Sequence, residues 1–595
     1  MNRIYSLLAA CTLTSAFAQV TPISNTENEV LPRSLTPAER RIMGEYYANY
    51  SFGEKGIEVP PGGSIRCAAQ WEEVQTLVIT WTNQYNTIQS KIVDAAQEEC
   101  RVLIACSDSN SVKNTLSNNG VPDVNLEFLE IPYNSIWMRD YGANTMYRND
   151  VDSLFLVDWI YNRPRPDDDV MPEEHAAWHG VPLYSTTQAP SDLVNTGGNW
   201  MSDGLGTAFA SELILDENDA GNPYQVTVKN ETDVNNIMSD FMGITRYIKM
   251  TVLPYDDIHH IDMHMKLIDE ETLLVSEYPA GVADGPQIEA NLQYVLSNYT
   301  SVFGTPYKVV RITVPPSTTG SYPNTGGSYR TYTNSVLINK TVLVPTYRTE
   351  YDTTALRTLE EALPGYTIVG IDVDNSGQNL ISLSGALHCI THSIGVADPM
   401  LIVHQPLEDT YDDVNPYFVS AEIQHRSGIA SASIFYKLSL GGAYTQLAMT
   451  YSGSGNTWTA NIPAQAVGTT IYYYIEGIAN SGKIQVRPIV APTGFWEFKV
   501  MGGLGIDELN GANMLEVFPN PASAMTCIPV STPLDLEGRL TLCDITGKTV
   551  AVLHEGIFPM GESNYFFAAN QYSAGSYLVV LESEGRKTTQ KVMIR

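Results

Sequence analysis

The chain has 595 residues and a formal net charge of −32, from 34 Lys and Arg against 66 Asp and Glu. The length allows several domains. The charge excludes a nucleic-acid binder, which needs the opposite balance, and favours cationic ligands.

Residues 1–18 read as a signal peptide. Arg3 supplies a small positive start, Ile4 to Leu13 an apolar stretch, and Ala16-Phe17-Ala18 a small-x-small cleavage site. Leu8-Ala9-Ala10-Cys11 also resembles a lipoprotein box, but its apolar region is very short, so cleavage after Ala18 is preferred. Past the signal peptide no apolar run is long enough to span a bilayer. Six cysteines follow it, with no close-spaced framework and no C-x-x-C pair. Cys100 and Cys106 flank an expected strand, Cys527 and Cys543 are a candidate disulfide, and Cys389 has no obvious partner. Residues 19–63 are polar and read as a leader or propeptide with one helix from Pro37 to Tyr46.

From Trp71 a β-β-α-β unit recurs. The clearest copy has the hairpin Ser335 to Val344 turning at Asn339-Lys340, a helix with Leu356, Leu359 and Leu363 on one face, and the strand Thr367 to Val373. Others begin at Met265, Thr207 and Asn144, and a first partial copy begins at Thr76. Five such modules predict an α/β fold: a five-bladed, pseudo-symmetric propeller over residues 64–403.

Each module's first strand begins after a polar cluster: Trp137-Met138-Arg139-Asp140, Gly197-Gly198-Asn199-Trp200, His259-His260-Ile261-Asp262, Tyr332-Thr333-Asn334, and His388-Cys389. Equivalent positions of a radial repeat share one rim, so Asp140, His260, Asp262, Asn334 and Cys389 are expected to converge. Cys389 lies in S-G-A-L-H-C-I-T-H-S-I-G, between His388 and His392. A nearby imidazolium lowers a thiol's pKa and makes it a nucleophile.

Residues 404–500 alternate as strands and predict an immunoglobulin-like β-sandwich. A linker, 501–511, leads to a second β unit over 512–595, with Phe518-Pro519-Asn520-Pro521 near its start and Gly575-Ser576-Tyr577-Leu578-Val579-Val580 near its end.

This combination resembles the guanidine-modifying superfamily. Trp137-x-Arg139-Asp140 and the closing His388-Cys389 are shared with agmatine deiminases. Tyr161-Asn162-Arg163-Pro164-Arg165-Pro166 and the domain order are similar to the bacterial secreted peptidylarginine deiminases. The last unit resembles type IX secretion sorting tails. The resemblance implies a secreted or surface-attached Gram-negative hydrolase that converts peptidyl-arginine to citrulline. It implies Cys389 as nucleophile, Asp140 and Asp262 as the grip on the guanidinium, His260 as acid and base, Asn334 as an orienting group, and Trp137 as a stacking surface. His259 and His264 surround the His-x-Asp motif, so the acid-base assignment to His260 rests on the resemblance.

Arg163 and Arg165 are alternate residues of a proline-stiffened extended segment, so their guanidinium groups face one side. Together they suit the carboxylate of a C-terminal arginine; the alternative is surface pairing with Asp167, Asp168 or Asp169. No EF-hand spacing appears, so neither calcium nor another metal or cofactor is expected. The expected partners are arginine peptides and the secretion machinery, with a monomeric chain. Two other functions stay open: an agmatine or free-arginine deiminase, and a surface binding protein built on a degenerate propeller.

Overall fold

The computed structural model describes residues 30–50, 55–502, 513–515, 517–583 and 586–595. The expected signal peptide with Cys11, the first part of the leader and most of the expected linker lie outside them. The described residues form two compact units, one of residues up to Leu407 with Tyr417–Ile462 and Tyr472–Glu497, the other of Glu408–Pro416, Pro463–Ile471 and Phe498–Arg595.

In the first unit the chain begins with helix α1 (Pro37–Asn49). Thr36 and Glu39 form a reciprocal capping box and Pro37 occupies the first turn, which fixes the start of the helix. Then come β1 (Ile65–Cys67), β2 (Val74–Thr80), α2 (Asn86–Ala96), β3 (Arg101–Cys106), α3 (Ser109–Asn118) and β4 (Leu126–Glu130). A single turn, α4 (Met138–Tyr141), precedes β5 (Asn144–Arg148), β6 (Leu154–Trp159), α5 (Pro166–Asp169), α6 (Met171–His179) and β7 (Leu183–Thr186). The third module has β8 (Met201–Ser202), β9 (Thr207–Ser211), α7 (Leu213–Asp216), α8 (Glu231–Met242) and β10 (Arg246–Met250). Helix α8 stops at Gly243, whose φ of 67° is left-handed and whose position against the Ile65 carbonyl leaves no room for a Cβ. The last two modules are β11 (Met265–Leu267), β12 (Thr272–Glu277), α9 (Gly285–Asn298), β13 (Lys308–Thr313), then β14 (Val336–Ile338), β15 (Thr341–Thr346), α10 (Thr349–Ala362), β16 (Thr367–Asp372). Strand β17 (Thr391–Gly395) follows Cys389.

These strands form five separate sheets, ordered β1-β5-β6-β7, β10-β9-β8, β11-β12-β13, β14-β15-β16 and β17-β2-β3-β4. No single closed sheet joins them among the described residues. Each sheet combines an antiparallel neighbour with a parallel one, as in β11-β12 and β12-β13. The partial module at Thr76 is completed from the far end of the region: β17 pairs antiparallel with β2, Thr391 opposite Ile79 and His392 opposite Val78. That pairing ties Cys389 to the first sheet, although more than three hundred residues separate them.

After Val403 the first unit holds two further antiparallel sheets, built around Tyr417–Gln424 with Thr457–Ile462 and around Ile429–Lys437 with Thr470–Ala479. In the second unit, Asn513–Met514, Met525–Thr532 and Gly561–Ala568 form one sheet, and Thr549–Phe558, Leu536–Asp544, Gly575–Ser583 and Arg586–Ile594 another. The candidate Cys527–Cys543 disulfide is absent: both thiols are free, the Cys527 sulfur lying 3.5 Å from Asn564 Oδ1 and the Cys543 sulfur 3.7 Å from Thr541 Oγ1.

Candidate active site

The five predicted residues meet at one buried site. Asp140 lies in α4, Asp262 in the short 3-10 turn that follows His260, and Asn334 and Cys389 just before β14 and β17. All five are at most 4% exposed. Asn334 Nδ2 lies 3.2 Å from the Cys389 sulfur, and Asp262 Oδ2 lies 3.7 Å from it. Asn334 Oδ1 accepts the His388 amide N–H at 3.0 Å, which turns its NH₂ group toward the sulfur.

The centre of this cage holds a residue that sequence reasoning missed, Arg33, which lies just ahead of α1. Its Nε and Nη2 donate to the two oxygens of Asp140 at 2.9 and 3.0 Å, a bidentate pair. Nη1 and Nη2 reach Asp262 at 3.3–3.4 Å, and Nη2 lies 2.5 Å from His260 Nδ1. A guanidinium only donates, so Nδ1 is the acceptor, and Nε2–H then donates to Thr196 Oγ1 at 2.9 Å. Gly198 lets the guanidinium in: a Cβ there would collide with Arg33 Nη2 and stand 2.5 Å from His260 Nδ1.

The electrostatics follow from burial around this cation. Burial works against the Asp140 and Asp262 carboxylates, yet the Arg33 charge, together with its hydrogen bonds to Asp140 and the His388 hydrogen bond to Asp262, holds both below the usual carboxylate range. Burial, then Arg33, pushes His260 down to about 3, so its imidazole is neutral. Burial raises the Cys389 thiol; Arg33 is the charge that opposes it.

A second line of donors supports Asp262. Lys266 Nζ donates to Gln70 Oε1 at 2.8 Å, Gln70 Nε2 donates to His388 Nε2 at 3.0 Å, and His388 Nδ1 donates to Asp262 Oδ2 at 2.9 Å. Burial and Arg139 lower Lys266 to about 7. His392 does not touch the thiol; it sits between Arg139 Nη1 at 2.9 Å and the Ala143 carbonyl at 2.7 Å. His259 is half-buried with φ of 60°, and His264 is buried with neither ring nitrogen hydrogen-bonded.

Arg163 and Arg165 are buried beside the cage and contact the segment that carries Arg33 and α1. Arg163 Nε donates to the Arg33 carbonyl at 3.1 Å. Arg165 Nε donates to Glu39 at 2.8 Å and its Nη2 to the Pro32 carbonyl at 2.8 Å. Neither forms the alternative surface pair, because Asp168 is taken by Asn134 and Ser135, and Asp169 by Lys55. The extended segment ends sooner than expected, since α5 starts directly after Arg165. Trp137 is buried against Gly385 and donates its indole N–H to the Leu31 carbonyl at 2.9 Å.

What sequence reasoning missed is the part that the segment around Arg33 plays in the site, and with it Gln70, Thr196 and Lys266. Pro32-Arg33-Ser34 ahead of the Thr36/Glu39 capping box was the available signal. Gln70, Thr196 and Lys266 lie in no motif.

The model of the Porphyromonas-type peptidyl-arginine deiminase family matches residues 66–394, more than half of the chain. A secretion system C-terminal sorting domain matches residues 516–595. A Yersinia pestis protein provisionally named an agmatine deiminase is 24% identical over 369 residues, 55% of this chain and 95% of its own. A Legionella pneumophila protein of the same provisional name is 25% identical over 300 residues, 49% of this chain and 81% of its own. A Porphyromonas gingivalis structure provisionally described as an arginine deiminase aligns at TM-score 0.49 and 22% identity, covering 56% of this chain and 98% of that one.

Proposed function

The chain belongs to the Porphyromonas-type peptidyl-arginine deiminase family, an enzyme family that hydrolyses amidines, and from that premise we propose that it converts peptidyl-arginine to citrulline, preferring a C-terminal arginine. The observation that carries this reading is the pose of Arg33: a peptide-borne guanidinium held by Asp140 and Asp262 beside His260 and Cys389. Here the Arg33 guanidinium stands in for that of a substrate.

In this reading the Cys389 thiolate attacks the guanidinium carbon. The bound cation opposes the burial that keeps the thiol protonated, so substrate lowers the cost of forming the thiolate. Forming the C–S bond consumes the cation's charge. His260, neutral at rest, takes the thiol's proton as the C–S bond forms and then gives it to the departing nitrogen; the C–N bond breaks, and ammonia leaves a thiouronium on Cys389. His260 then takes a proton from water, which attacks the same carbon, and collapse of that adduct returns the thiolate. A guanidinium and a water become a ureido group and an ammonium ion, a balance that needs no cofactor or metal. Asp140 and Asp262 hold the planar group in place through both halves.

We place the five sheets as blades around this site, residues 404–500 as an immunoglobulin-like domain, and the chain as a secreted or surface-attached monomer directed by its type IX sorting domain. The alternative enzyme is an agmatine or free-arginine deiminase; the first of these is the provisional name of several relatives. Against a degenerate binding protein, every position of the cage is occupied by a group able to act. The test is citrulline release from peptides with arginine first, internal and last, beside product formation from agmatine. Turnover of agmatine alone sinks the peptidyl reading.

A further inference from the structure

Arg33 is not a loose side chain that has fallen into a cavity. It is 1% exposed, and its peptide is fixed on both sides. Before it, the Leu31 carbonyl takes the Trp137 indole N–H at 2.9 Å. At the residue itself, the amide N–H donates to the Leu383 carbonyl at 3.1 Å and the carbonyl accepts from Arg163 at 3.1 Å. After it, Glu39 forms a buried ion pair with Arg165 at 2.8 Å, and the Tyr47 hydroxyl donates to the Tyr161 carbonyl at 2.7 Å. Helix α1 then buries Met43, Tyr46 and Tyr47 in one apolar cluster with Ile160, Val194, Tyr224 and Val226.

Each part needs the others. Burying a guanidinium is costly unless carboxylates meet it, and Asp140 and Asp262 do. The cluster under α1 supplies apolar burial that the cage does not. The segment connecting the two is as short as Ser34 to Thr36, so an anchored helix holds Arg33 at high local concentration. The two residues that suit a substrate carboxylate, Arg163 and Arg165, are occupied by the backbone and Glu39 of this same segment.

We infer that Val30–Asn49 is a peptide ligand of the catalytic site, an internal-arginine peptide that enters the cage as substrate does and keeps the enzyme latent until it leaves. This rests on the proposed function, since latency presupposes an activity. Occupancy of the cage and of both carboxylate-binding arginines excludes arginine peptides and shields Cys389. The ligand class this defines is a peptide of the form Pro-Arg-Ser followed by a capped helix with an acidic first turn, acting in the same chain or added separately.

The test compares the full chain with Arg33→Gln and with Glu39→Gln, which loosens the helix without touching the cage. Two rates are read: alkylation of Cys389 by iodoacetamide, located by peptide mapping, and citrulline release from an arginine peptide. Both variants should be alkylated at least about tenfold faster than wild type, the gain expected on losing a tethered competitor. A synthetic peptide of residues 30–49 added to Arg33→Gln should restore protection, and the same peptide with Gln for Arg33 should not. If Arg33→Gln does not fold, Glu39→Gln and its response to the peptide decide. Equal alkylation and equal turnover in all three proteins overturn the inference and leave the enzymatic reading standing. Faster alkylation with no turnover keeps the ligand and sinks the enzymatic reading. Citrulline found at position 33 of the purified wild type overturns the inference, because the segment is then a substrate.

Discussion

Asn334 holds its Nδ2 3.2 Å from the Cys389 sulfur while its Oδ1 is fixed by the His388 amide N–H. The amide therefore offers a donor to the thiolate, which lowers the cost of forming that charge in a buried place. In an Arg33→Gln background, Asn334→Ala should lower kcat about 10- to 100-fold, as loss of a hydrogen bond to a charged group costs about 1.5–3 kcal/mol. It should also slow labelling of Cys389 by a chloroacetamidine probe. Cys389→Ala should abolish both. Full citrulline formation without the thiol would exclude the covalent route.

The module pattern was legible because hydrophobic period and turn chemistry agree locally, as at Asn339-Lys340, where Asn339 takes φ of 49°. Convergence of Asp140, His260, Asp262, Asn334 and Cys389 was legible because each sits at the same place in its module. What closes the first sheet was not, since β17 pairs with β2 across a sequence separation that no local signal spans. Arg33 was hidden for a different reason. A polar, proline-bearing stretch reads as leader, and its burial depends on partners at Asp140, Arg165 and Val226 that are distant in sequence. The candidate disulfide failed because sequence spacing does not fix the Cα separation and Cβ directions that a disulfide needs.

The sorting domain is expected to serve export and not chemistry. Its own apolar core gathers Val517, Ile528, Leu540, Phe558, Val579 and Ile594, so it can fold around its own residues. On the Arg33→Gln background, a chain ending at Gly502 should turn over a small arginine peptide as fast as the full-length Arg33→Gln chain while failing to leave the cell. A folded, soluble truncation with impaired turnover would contradict this.

His264 gives the fold a measurable acid sensitivity. Burial lowers it to about 4, and neither ring nitrogen is hydrogen-bonded. A histidine with a depressed folded pKa contributes fully above its unfolded pKa near 6.5 and loses stability as pH falls from there toward 4. Replacing it with Leu removes that loss. At pH 8 the two proteins should differ only by packing; by pH 4 the variant should have gained up to about 3 kcal/mol relative to wild type. The other buried histidines are common to both proteins and cancel. Thermal melts between pH 8 and 4 report the difference, and parallel Tm curves would refute the assignment.

The contact of Arg163 with the Arg33 carbonyl bears on specificity. In a peptide that ends in arginine, the same carbon carries a carboxylate, and a bond at that place becomes charge-assisted. Arg165 lies beside it, and the carboxylate it now holds belongs to Glu39 of the segment that carries Arg33. In the state with that segment displaced, which the latency inference requires, the guanidinium loses Glu39, and burial makes an unpaired cation costly. A substrate carboxylate restores the pairing. An internal arginine offers a neutral amide instead, and agmatine offers no group there. Arg163→Ala and Arg165→Ala should therefore reduce kcat/KM for arginine-terminated peptides by about one to two orders of magnitude, the equivalent of about 1.5–3 kcal/mol for a charge-assisted bond. The same variants should change agmatine turnover little. The measurement uses one peptide ending in arginine, its C-terminally amidated form, and agmatine, all on the Arg33→Gln background so that Arg33 does not compete. Equal rates of the Arg33→Gln protein on the three substrates would remove the carboxylate clamp and move the enzyme toward a general guanidine deiminase.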